Sequence, residues 1–198
     1  MVKSQNASTS RDRLLDAAGE LLQQHGVAGF NTNDLATTAG VTAPTVYRNF
    51  TNKQDVLLAL AERFIENEKA WLAGAEPEFL AAPTPFAALH SVVSCYFTLA
   101  KQTPGLVPLR QTMRIWPELN AIERESIRAS AQWLSRMLQM KYPSKAKHYS
   151  RLAISMVETV CSTVDRCYVL PTKEANWRLE MLSSMLASYL AEELMLRQ

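Results

Sequence analysis

The first sixty residues are cut into short pieces at places only helices would need cutting. Gly26 and Gly40 stand just past two apolar-periodic runs, where a left-handed residue ends a helix. Asn31 with Asp34, and Asn52 with Asp55, have the spacing of capping pairs that begin one. Leu14, Ala18, Leu21, Leu22 and His25 recur at three- and four-residue intervals, the signature of a single helix face, and Thr9 or Ser10 can cap its start. Such punctuation leaves room for a long first helix, a short second and a third no longer than "TAPTVYRNF".

That third segment reads at first as a loop, but its residues fit a capped helix. Thr42 can cap by accepting from a first-turn amide, and Pro44 falls in the first turn, where its missing N–H costs nothing. Val41 and Val46 have the spacing of a hydrophobic staple. Val46 and Phe50, four apart, turn to one side, which leaves Tyr47, Arg48 and Asn49 on the other.

Downstream the chain stays helical, and no stretch alternates as a strand does. The fourth helix passes through Val56, Leu57, Leu60, Phe64 and Trp71. Pro77, Pro83 and Pro85 are expected to break the chain between Gly74 and Phe86. Thr84 and Pro85 open the apolar run "FAALHSVVSCYFTLA"; "TPGL" at residues 103–106 interrupts it, and a shorter irregular segment holds Pro108. Pro117 opens a seventh helix to about Lys141, Ser144 caps an eighth, and Pro171 and Thr172 divide it from a ninth. The fold class expected is all-α, about nine helices, with a front domain over 1–55 and a larger helical domain over 56–198.

Two short helices joined by a tight glycine turn and braced by a first make a helix-turn-helix, whose second helix lies in a major groove of DNA. Short Thr42, Ala43, Pro44 and Thr45 would let the helix end approach the duplex and turn its amides to phosphate. Tyr47, Arg48 and Asn49 would meet phosphates or base edges, and Lys53 a backbone phosphate. Bulk charge gives this no help. The chain has 21 basic and 19 acidic residues, net +2. The first 55 residues balance at zero, Lys3, Arg11, Arg13, Arg48 and Lys53 against Asp12, Asp16, Glu20, Asp34 and Asp55. Recognition has to come from placement.

The run "RDRLLDAAGELLQQHGVAGFNTNDLATTAGVTAPTVYRNFTNKQDVLLAL", over residues 11–60, resembles the N-terminal domain of the tetracycline-repressor-type (TetR/AcrR) family of bacterial regulators. The elements in order are "LLDAAGELL", Gly26, "DLATTAGV", "PTVYRNF" and "NKQDVL". The resemblance implies a repressor that binds a palindromic DNA operator as a homodimer and is released by a small, largely apolar effector. It implies further that Thr32, Asn33, Thr42, Ala43, Thr45, Tyr47, Arg48, Asn49 and Lys53 lie at the DNA, with Thr32, Tyr47 and Lys53 on the backbone and Asn33, Ala43 and Asn49 nearer base edges. Pro44 is counted with them. Many relatives carry lysine or glutamine at the place of Ala43 and arginine at that of Asn33, so specificity would pass to Arg48, Asn49 or DNA shape.

The same resemblance implies that the last two helices pair with their copies. Ile154, Val157, Cys161, Val164 and Tyr168 form one candidate stripe, and Leu179, Leu182, Leu186, Tyr189 and Leu190 another. Met181, Met185 and Leu194, around the girth of the ninth helix, suggest burial on more than one side. The middle helices supply aromatic and soft side chains suited to a bulky apolar ligand: His90, Tyr96, Phe97, Met113, Trp116, Trp133 and Met137, with Arg110, Arg114 and Glu158 as polar partners. Cys95 belongs to the same supply.

No nucleophile elbow, phosphate loop or metal-ligand spacing is present, His25, His90 and His148 are scattered, and no cofactor is implied; the expectation is not an enzyme. The rival reading is an all-helical enzyme or an interaction module without specific DNA binding. Cys95, Cys161 and Cys167 have no CxxC spacing and read as buried thiols in a reducing cytoplasm. No apolar run reaches the about 18 residues of a membrane span, and the polar N-terminus lacks a signal's apolar core.

Overall fold

The computed structural model describes residues 9–143 and 149–195. Ser144, expected as a cap, and His148 lie outside the described residues, as does the side chain of Leu194. Among the described residues the architecture is all-α: α1 (Ser10–Gly29), α2 (Thr32–Thr38), α3 (Ala43–Asn49), α4 (Lys53–Ala81), α5 (Pro85–Gln102), α6 (Leu106–Met113), α7 (Pro117–Lys141), α8 (Tyr149–Cys167) and α9 (Thr172–Met195).

Local signals explain most of the boundaries. α1 opens on a reciprocal cap: the Asp12 amide donates to the Thr9 hydroxyl at 3.1 Å, and the Thr9 amide donates back to the Asp12 carboxylate at 3.0 Å. Gly26 takes φ 62°, a bend that carries the end of the helix out of line. α2 begins on Asn31, whose side-chain oxygen accepts from the amides of Asn33 and Asp34. α5 begins on Thr84, which accepts from the Ala87 amide.

Three expectations change. Pro77 does not end α4; the helix runs on to Ala81 as a single 29-residue element. A proline removes one backbone bond, here to the Ala73 carbonyl, and both residues lie on an exposed face. The irregular segment around Pro108 is the regular helix α6, started by Gly105 at φ 78°. Cys95 is exposed rather than buried, whereas Cys161 and Cys167 are buried.

The chain divides into two compact units. The front unit extends past residue 55 to Phe64 and also takes in Thr103–Ile122. Its core joins Leu14, Ala18 and Leu22 of α1, Leu35 of α2, Val46 and Phe50 of and beside α3, Leu57 and Leu60 of α4, and Leu109 and Met113 of α6. The second unit holds Ile65–Gln102 and everything from Glu123 onward. Its core gathers Phe79, Leu89, Trp133, Leu134, Met137, Leu138, Met156 and Leu190.

Candidate nucleic-acid interface and ligand cavity

In the front unit, the turn between α2 and α3 closes through two backbone bonds. The Gly40 amide donates to the Thr37 carbonyl at 3.2 Å and the Val41 amide to the Ala36 carbonyl at 3.0 Å. With Gly40 at φ 61°, this is a Schellman end to α2. A side chain at residue 40 would adopt that φ under strain, so the turn is set by glycine. Val41 packs against the core beside Val46. Val46 and Phe50 are buried to 1% and 4% exposure, and they fix the face that α3 turns outward.

On that outward face, Tyr47 is 58% exposed. Thr42, Ala43, Pro44 and Arg48 are also exposed, as is Asn33 on α2, while Thr32, Thr45, Asn49 and Lys53 are half-buried. The polar groups form a short chain along the surface: the Arg48 guanidinium donates to the Thr45 hydroxyl at 3.0 Å, which lies 3.0 Å from the Thr42 hydroxyl. Thr42 is the N-cap by position, but its hydroxyl takes no amide; the helix start is held by the staple and by the Thr42 carbonyl.

Two residues named from the sequence are occupied elsewhere. The Asn49 amide donates to the Thr45 carbonyl at 2.8 Å, within its own helix. The Lys53 ammonium donates to the Val27 carbonyl at 2.5 Å and lies 5.6 Å from the centre of the Phe30 ring. Burial there holds its pKa below the usual lysine value. Lys53 thus ties α4 to the bent end of α1. Arg11, which the sequence did not single out, stacks its guanidinium over Phe50 at 4.7 Å and reaches the Asn49 carbonyl at 3.5 Å, at the end of α3. Only the fold brings residues so distant in sequence together, so no local pattern marks Arg11.

The second unit contains an apolar cavity of about 60 Å³. α4 gives it Glu68, Trp71 and Leu72; α5 gives Leu89, Val92, Val93 and Tyr96; α7 gives Ser130, Trp133 and Leu134. The rest of the wall is Met156, Val157, Val160 and Cys161 of α8 and Leu186 of α9. Trp71 and Tyr96 pack with ring centres 5.7 Å apart, and Trp133 meets Phe79 edge to face at the same distance.

Of the residues expected to bind ligand, Tyr96 and Trp133 line this cavity. His90 stands away from the wall, its ring stacked on Phe86 and its nitrogens 3.3 Å from the Ser183 hydroxyl and 3.4 Å from that of Ser94. Phe97 and Met137 are buried in packing, and Glu158 is exposed. Met113 and Trp116 belong to the front unit's core, and Arg110 and Arg114 to the front unit as well. Three further wall residues, Val157, Cys161 and Leu186, were missed because they looked like interface residues.

The two stripes expected at a dimer face divide in the same way. Val164, Leu179, Leu182 and Leu190 are buried within the unit, and the Tyr168 carbonyl accepts from the Lys101 ammonium. Ile154 and Tyr189 of the two stripes are exposed, as are Trp177, Met181 and Met185, which with Tyr189 stand at every fourth residue along α9. Among the described residues no helix is long and apolar enough to cross a membrane, and no group of three or more His, Cys, Asp or Glu could hold a metal ion.

An all-α chain with a Schellman-turned helix pair braced by a first helix is a helix-turn-helix protein. Residues 14–60 match the family model described as bacterial regulatory proteins of the tetR family. The HTH-type transcriptional repressor ComR of Escherichia coli K12 is 41% identical over 56 residues, 28% of this chain and 27% of that protein. The match therefore spans about a quarter of that curated relative's length. Two solved structures share the fold along nearly the whole chain. The fatty acid degradation regulator FadR from Bacillus halodurans has TM-score 0.69 and 19% identity, covering 94% of this chain and 95% of its own. The FadR of Bacillus subtilis, solved with stearoyl-CoA, has TM-score 0.66 and 22% identity, covering 91% and 97%.

Proposed function

We propose that this chain is a ligand-responsive repressor that binds a palindromic DNA operator as a homodimer and leaves it when a small apolar effector fills the cavity of the second unit. The observation that carries the reading is the exposure of Tyr47 and Arg48 on a helix whose other face is locked by Val46 and Phe50. A seven-residue helix with a buried side and a polar, aromatic open side is suited to a major groove. Asn33, Thr42, Ala43 and Pro44 border the same open surface, with Thr32 and Thr45 half-buried beside it.

Ligand control needs one element that feels both the cavity and the DNA-binding core. α4 is continuous from Lys53 to Ala81; Val56, Leu57 and Leu60 belong to the front core, and Trp71 and Leu72 to the cavity wall. A ligand that binds one setting of α4 better than another shifts the equilibrium by that difference, typically about 1–3 kcal/mol. The Bacillus subtilis relative's stearoyl-CoA supports an apolar effector as a class.

The test is a gel shift with the intergenic DNA beside the chain's own gene. A shifted band at a palindrome, weakening steeply with added salt and lost on titration with effector, supports the proposal. Binding that ignores sequence, or that a cavity ligand leaves unchanged, overturns it.

A further inference from the structure

The cavity's chemistry narrows its ligand beyond "apolar", resting on the reading that this cavity is the effector site. Among the described residues no lysine, arginine or histidine stands in its wall. An anionic head would therefore be desolvated there without a cation, which is costly enough to keep acids out. The one carboxylate, Glu68, accepts from the Ser126 and Ser130 hydroxyls at 2.8 and 3.3 Å. The Tyr96 hydroxyl lies 3.6 Å from the Cys161 thiol, so these polar groups are engaged with protein.

Trp133 differs. Its side chain is only 7% exposed, and its indole Nε1 is buried with no hydrogen-bond partner among the described residues. Buried donors are nearly always satisfied, and one left open costs free energy until something accepts from it. The indole has little freedom to seek another partner, because it is buried and packed edge to face with Phe79. We propose that the effector is a neutral, compact apolar molecule carrying one hydrogen-bond acceptor, such as a ketone, ester or lactone oxygen, which takes the proton of the Trp133 indole.

Size points the same way. A cavity of about 60 Å³ is well under the about 150 Å³ that holds benzene in an engineered apolar site, so even one ring requires the walls to part. Met156 on the wall is an adaptable side chain of the kind that yields. A long acyl chain finds no comparable room. Filling the cavity and moving its walls become one event.

Cyclohexanone and methylenecyclohexane, equal in shape and differing in the acceptor, test this by NMR on full-length protein with 15N-labelled tryptophan. The four indole N–H signals are assigned with Trp→Phe variants. Both probes should perturb cavity resonances, but only the ketone should move the Trp133 indole proton downfield. Trp133→Phe should weaken cyclohexanone about tenfold relative to methylenecyclohexane. If both probes bind and neither distinguishes the indole, the acceptor is wrong while the cavity remains a ligand site. If neither binds at saturation, the effector site itself is refuted. The wild-type indole shift decides the question even where the variant folds poorly.

Discussion

At the scale of single residues, the surface proposed to face DNA separates into side chains free to meet a partner and side chains already committed. Tyr47 touches solvent over most of its surface, so Tyr47→Ala should leave thermal stability within about 0.5 kcal/mol. Operator affinity should fall roughly five- to tenfold, the worth of one lost hydrogen bond, and a melting curve beside a gel shift reads both. Lys53 behaves oppositely. Its ammonium satisfies the Val27 carbonyl at the end of α1, so Lys53→Ala should lower stability by about 1 kcal/mol, seen in urea unfolding. A change in operator affinity without any loss of stability would restore the phosphate role that its position in the sequence suggested. Spacing along the chain shows which face of α3 is open, but a partner twenty-six residues earlier is set by the tertiary fold and has no local pattern.

At the scale of elements, caps and glycines were legible because each is a short-range device. Asn31, Thr9 and Gly40 act within a few residues of themselves and stand where their spacing put them, while Gly26, expected past the end of α1, bends it three residues before its end. Pro77 was misjudged for the converse reason: whether a proline breaks a helix depends on whether the orphaned carbonyl can meet water, and that is a question of burial. The α1 cap offers a pH prediction. The Thr9 hydroxyl and amide bond the Asp12 carboxylate and hold its pKa below the ordinary 3.8. A carboxylate depressed in the fold contributes stability that is complete above 3.8 and lost as pH falls through the lower folded value. Thr9→Ala should move the Asp12 titration, followed by NMR, back toward 3.8 and lower the melting temperature at neutral pH. A second element-level contact joins α1 to the turn before α6. A Cβ on Gly19 would come within 2.7 Å of the Pro104 carbonyl oxygen, and one on Gly105 within 2.6 Å of the Gly19 carbonyl oxygen. Backbone cannot yield as a side-chain tip can, so Gly19→Ala should destabilise by about 1–3 kcal/mol, measured by chemical unfolding.

At the scale of the whole molecule, the proposed function requires a second copy. One recognition helix covers too little DNA to specify a site, and a two-fold pair reads two half-sites about 34–36 Å apart. The sequence marked α8 and α9 for this role, with Tyr189 in a stripe of α9 and Met181 and Met185 around its girth, but a leucine-rich stripe looks the same whether it faces its own subunit or another. Burial separates them: Leu179, Leu182 and Leu190 are inside, while Trp177, Met181, Met185 and Tyr189 form an open row. Four large apolar side chains at every fourth position are more than scattered surface residues require. Met185 is 63% exposed, so Met185→Glu changes nothing within the subunit and should leave its helicity intact. In a dimer the same change places a charge against its symmetry mate across a desolvated face. Light scattering should then show half the mass of the unmodified protein at micromolar concentration, and operator binding should drop with it. Leu182→Glu, buried at 6% exposure, should instead unfold the unit. If Met185→Glu leaves the mass unchanged while the protein still binds its operator, the pairing face lies elsewhere than on this row.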